Sequence, residues 1–72
     1  MKLLILKTDI DSAKKIKTVR PIFHYHPGVN HWSVDTEDID NVLRIEAADS
    51  LSEEELIYLI KTYGFFCEYL PD

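Results

Sequence analysis

The stretch Leu51-Ser52-Glu53-Glu54-Glu55-Leu56-Ile57-Tyr58-Leu59-Ile60-Lys61-Thr62-Tyr63-Gly64 contains a helix with both of its ends marked. Ser52 and Glu55 have the spacing of a capping box. Leu51 and Leu56 have that of the hydrophobic staple, which fixes the entry angle of the chain. The three glutamates of the first turn complement the positive end of the helix dipole. Leu56, Leu59, Ile60 and Tyr63 recur at three and four residues and make a buried stripe. Gly64 is placed to end the helix, because it takes the left-handed conformation without a Cβ clash.

The neighbouring segments follow from that helix. Phe65 to Leu70 reads as a last strand, closed by Pro71. Upstream, Val42 to Ala47 is a strand in which Leu43, Ile45 and Ala47 alternate with Arg44 and Glu46. The polar run Thr36-Glu37-Asp38-Ile39-Asp40-Asn41 is a hairpin connection, and Val29 to Asp35 is the strand before it. Pro27-Gly28 is a turn. Ala13, Ile16, Val19, Ile22 and Phe23 form the stripe of a helix from about 12 to 25, with Pro21 loosening its last turn. Residues 2–9, with Leu3, Leu4, Ile5 and Leu6, read as the first strand. The order βαββαβ predicts an α+β, ferredoxin-like two-layer sandwich: a four-stranded antiparallel sheet with two helices on one face. The other sheet face is left open.

Composition narrows the function. The 72 residues suit one domain over 1–72, and 46% hydrophobic with 29% charged residues suits a folded, soluble chain. The net charge of −5 weighs against nucleic acid, whose phosphates call for Lys and Arg. No apolar run reaches the roughly 18 residues of a membrane span, and the four-residue run after Lys2 is too short for a signal peptide. A single cysteine allows no internal disulfide, and the cytoplasm is the expected compartment.

Several weak motifs, in order, resemble the heavy-metal-associated domains of copper chaperones. They are Thr8-Asp9-Ile10-Asp11-Ser12-Ala13-Lys14-Lys15-Ile16, Gly28-Val29, Trp32-Ser33-Val34-Asp35, Leu51-Ser52-Glu53-Glu54-Glu55 and Tyr63-Gly64-Phe65. The family carries Cys-x-x-Cys at the start of the first helix, and the resemblance places those cysteines on Ser12 and Lys15. Two thiolates hold a soft ion such as Cu(I); a hydroxyl and an ammonium do not. The resemblance therefore implies the family's fold with a degenerate metal loop and no cofactor.

Other residues carry candidate chemistry. His24, His26 and His31 fall within eight residues and are the candidate metal ligands, with no evident fourth. Cys67 reads as a small buried hydrophobe. Glu37, Asp38 and Asp40 lack the spacing of a calcium loop. No Gly-rich phosphate loop appears, and no nucleophile with a base and an oxyanion site, so no catalysis is expected. Alternation turns Leu3, Ile5, Val42, Phe66 and Leu70 outward on the open sheet face, beside Arg44, Glu46 and Glu68. An apolar patch rimmed by charge is a contact surface. The expected partner is an unidentified protein, or a second copy in a sheet-to-sheet homodimer; nucleic acid and membrane are not expected.

Overall fold

A computed structural model describes residues 1–70. Six elements follow in the order β1 (Lys2–Thr8), α1 (Ala13–His24), β2 (Val29–Asp35), β3 (Val42–Ala47), α2 (Glu53–Thr62) and β4 (Cys67–Tyr69). The sheet order is β2-β3-β1-β4, and every neighbouring pair is antiparallel. This is the ferredoxin-like arrangement.

The helices form where local chemistry permits. Ser52 Oγ accepts from the backbone N–H of Glu55 at 3.1 Å, and Leu51 and Leu56 are buried together in the core. At the other end of α2, Gly64 has φ +91°. Its N–H donates to Lys61 O at 2.9 Å and that of Phe65 to Ile60 O at 3.3 Å, the paired bonds of a Schellman motif. Tyr63, expected in the buried stripe, is 56% exposed, because it caps the helix rather than facing the sheet. Helix α1 runs through Pro21 to His24. Proline removes the bond to Lys17 O but falls in the last turn, where little of the helix lies beyond it.

The alternation of β1 decides the two faces of the sheet. Leu4 and Leu6 are 4% and 0% exposed, while Leu3 is 56% exposed. Leu43, Ile45 and Ala47 of β3 share the inner face. Val19, Ile22 and Phe23 of α1 and Leu56 and Ile60 of α2 complete the core. Cys67 is fully buried among them.

Strand β4 is shorter than expected. Its ladder reaches only Leu6, Lys7 and Thr8, with one further bond from Leu70 N to Ile5 O at 3.2 Å. Among the described residues no helix is long and apolar enough to cross a membrane. Pro71 lies outside the described residues.

Leu6→Ala removes buried methylenes from the central strand and should cost about 2–5 kcal/mol in urea unfolding. Leu3→Ala, one residue from the core face, should change stability by no more than about 0.5 kcal/mol. Equal losses would mean that the two faces have been assigned wrongly.

Candidate functional site

The β1–α1 loop, residues 9–12, is anchored from both sides. Thr8, buried at the end of β1, donates its hydroxyl to Asn41 O at 2.7 Å and accepts from Ile10 N at 3.1 Å. Thr8 N also donates to Asp40 O at 3.1 Å, which ties the loop to the 36–41 hairpin connection. Ile10 is fully buried between two aspartates and pins the loop to the core. Asp9 Oδ1 accepts from Phe66 N at 3.0 Å, bringing in the turn before β4. Three loops therefore meet at one end of the sheet.

Ser12 and Lys15 hold fixed positions there. Ser12 Oγ accepts from Lys15 N at 3.3 Å and caps α1. The Lys15 ammonium reaches back over the loop, 3.1 Å from Asp9 O and 3.0 Å from Asp11 Oδ1. Sequence reading placed Lys15 at the loop but did not foresee these two contacts. The opposite charges of Asp11 and Lys15 at a spacing of four were a signal for the ion pair, although Asp11 lies in the loop before the N-cap Ser12.

The three histidines go to different tasks. His24 ends α1 and lies edge-on to Tyr25, ring centroids 4.8 Å apart. His26 turns inward, and its Nδ1 accepts from Gly28 N at 2.9 Å. That bond closes the Pro27-Gly28 turn so tightly that a Cβ on Gly28 would lie 3.2 Å from the imidazole and from Leu51. His31 sits in β2 opposite Glu46. Among the described residues, no three His, Cys, Asp or Glu side chains gather as a metal ion requires. The candidate trio is not brought together: the Pro27-Gly28 turn takes one nitrogen of His26, while His24 and His31 border a groove between α1 and β2 that His26 does not line.

The open face also differs from expectation. Leu3 and Phe66 are exposed, and Ile5 and Leu70 are half-buried. Val42 keeps the outward parity of Arg44 and Glu46 but is buried, 4% exposed. It lies where the hairpin connection is drawn onto β1, with Lys7 Nζ 3.4 Å from Asp40 Oδ1, so it is not part of the patch. Phe66 belongs to the loop end. It stands beside Asp9, six residues along the chain from Leu3, roughly 20 Å at a rise of about 3.3 Å per residue. Leu3, Ile5 and Leu70 remain together, and with Leu4, Tyr69 and Glu53 of α2 they line a cleft of about 230 Å³ at the edge of the sheet, between its open face and α2.

Comparison with solved structures bears on this geometry. The yeast copper transporter domain Ccc2a has TM-score 0.82 and 18% identity over 100% of this chain and 99% of its own. A chain of the Atx1–Cu(I)–Ccc2a complex has TM-score 0.82 and 20% identity over the same shares. A protein studied for crosstalk between Cu(I) and Zn(II) homeostasis has TM-score 0.81 and 13% identity, over 97% of this chain and 100% of its own. The chain has a heavy-metal-associated-like fold. At these identities the likeness is one of fold. No protein-family profile and no curated protein matches the sequence.

Burial pushes the Cys67 thiol up to about 11 from an ordinary value of 9.0, with Lys61 acting in the opposite direction. At pH 8 the folded protein should leave a thiol reagent unreacted, and unfolding in urea should release one reactive thiol. The unfolded chain loses this proton near pH 9 and the folded chain near 11. Stability should therefore fall as pH rises through that window. Rapid native-state labelling at pH 8 would contradict the burial.

Proposed function

We propose that this is a non-catalytic docking domain that keeps the heavy-metal-associated-like fold without using its metal loop. It acts by binding protein through the open face of the sheet. The observation that carries the reading is the Lys15 ammonium, 3.1 Å from Asp9 O and 3.0 Å from Asp11 Oδ1. At a position where the resemblance puts a thiolate, the chain carries its own cation. The other such position, Ser12, is a helix cap. Neither side chain suits a soft ion, and a fixed positive charge repels one. The ammonium draws the Asp9 carbonyl and the Asp11 carboxylate together, so the loop is ordered without a metal.

The docking reading is supported by exposed Leu3 and half-buried Ile5 of β1, which pair with Glu46 and Arg44 of β3, and by the groove of about 360 Å³ that Leu3, Arg44 and Glu46 line on the open face with His31 and Ser33. Opposite charges two residues apart suit a self-complementary contact. A second copy related by a two-fold axis, Arg44 facing Glu46, is the simplest partner. A chain of similar fold occurs in the Atx1–Cu(I)–Ccc2a complex, which supports docking to another protein as a use of this fold. The cytoplasm suits a domain whose lone cysteine is a free thiol.

Native mass spectrometry and sedimentation of the purified chain, with zinc and Cu(I) added in turn, test both halves. The parent should bind neither ion tightly, whereas Ser12→Cys with Lys15→Cys should take up one Cu(I). Ile5→Glu should keep the circular dichroism spectrum and abolish association. One tightly held ion in the parent would end the metal-independent reading. A parent monomeric at every concentration would end the two-fold form.

A further inference from the structure

Helix α1 stands apart from the rest of the chain in charge. It carries Lys14, Lys15, Lys17 and Arg20 and no acidic residue, in a protein of net charge −5. Among the described residues only Lys15 of these four is in an ion pair. Between the later turns of α1 and the start of β2 lies a groove of about 420 Å³. Arg20, His24, Asn30 and His31 line it, together with Phe23 and Trp32, whose rings pack with centroids 5.1 Å apart. No carboxylate lines this groove.

The groove also borders free backbone. β2 is an outer strand of the sheet, so its outward N–H and C=O groups have no strand neighbour. The register shifts between Val29 and His31, which leaves Asn30 unpaired with β3. Such a bulge bends an edge strand and re-aims its side chains. We infer that the groove is a docking site for an acidic peptide segment of a partner protein. The guanidinium of Arg20 and the imidazole of His24 take its carboxylates, the Asn30 amide bonds to its backbone, and an apolar side chain rests against Trp32. The free strand edge selects a peptide over an inorganic anion, since extended peptides dock by adding to such edges. The chain's own net charge disfavours a long polyanion such as a nucleic acid.

Trp32 is the one tryptophan of the chain and reports on this groove directly. The intact protein is titrated with the peptide acetyl-Glu-Glu-Phe-Glu-Glu-amide and with its all-glutamine counterpart, at low and high salt, following tryptophan emission. The acidic peptide should give a saturable change that weakens with salt, and the glutamine peptide none. Arg20→Glu should weaken binding at least about tenfold, and Arg20→Gln should do so without changing the fold by circular dichroism. Lys14→Glu, an equal change in net charge away from the groove, should weaken binding much less. Ile5→Glu should bind like the parent, which separates this site from the open sheet face. Equal responses to the two peptides, or an unchanged Arg20→Glu, would overturn the inference. So would inorganic phosphate or an oligonucleotide of equal charge binding as tightly. Emission that shifts with protein concentration alone would assign the groove to a second copy and overturn it as well.

Discussion

The burial of Leu4 and Leu6 beneath the two helices is the constraint on which the rest depends. β1 is a central strand, bonded to β3 on one side and β4 on the other. A strand with period two has one way to put both leucines inward, and that choice sets the register of both neighbours. It fixes Leu43 and Ile45 inward and Arg44 and Glu46 outward, and it brings Thr8 to the end of the strand with its hydroxyl turned into the protein. From Thr8 the loop that follows is anchored. Core packing thus reaches the candidate site through one residue.

That site shows how a loop can be ordered by the protein's own groups. Thr8 ties it to the hairpin connection, Ile10 to the core and Asp9 to the turn before β4. The Lys15 ion pair lies partly in solvent and adds no more than about 1 kcal/mol by itself. Its effect is on position, because it keeps an ammonium over the Asp9 carbonyl. The Ser12 cap adds roughly 1 kcal/mol on the usual scale. Both contributions come from side chains of the loop and the first turn of α1.

Much of this fold was legible in the sequence, because its elements carry independent local signals. Ser52, Leu51, Leu56 and Gly64 all state the limits of α2, and the alternation of residues 42–47 states β3. The candidate site was less legible. The charges of Asp9, Asp11 and Lys15 are visible in the sequence, but which carbonyl an ammonium meets depends on how the loop folds back, a tertiary matter. Ile10 between two aspartates was a signal that could have been read, since an isoleucine in a polar loop needs a reason to be there. Val42 misled for the opposite reason. Parity turned it outward correctly, but parity says nothing about a hairpin connection drawn over the strand end. Tyr63 followed a helical stripe into a cap, where the stripe no longer points at the sheet.

The charge distribution follows from the same architecture. With both helices on one face, α1 is left with an outer side that touches neither the sheet nor α2, and the sequence fills it with Lys14, Lys17 and Arg20, all exposed. Acidic residues occupy the hairpin connection and the first turn of α2, where the Glu53–Glu55 run favours the helix dipole. Only the α2 run is explained by local helix energetics. α1 has no acidic residue in its first turn and a single histidine in its last, so its lysines gain little from its own dipole. Lys14 and Lys15 lie in the first turn, where the dipole disfavours a cation, and Lys17 and Arg20 lie further along; their field is directed outward, toward whatever approaches the outer side of α1.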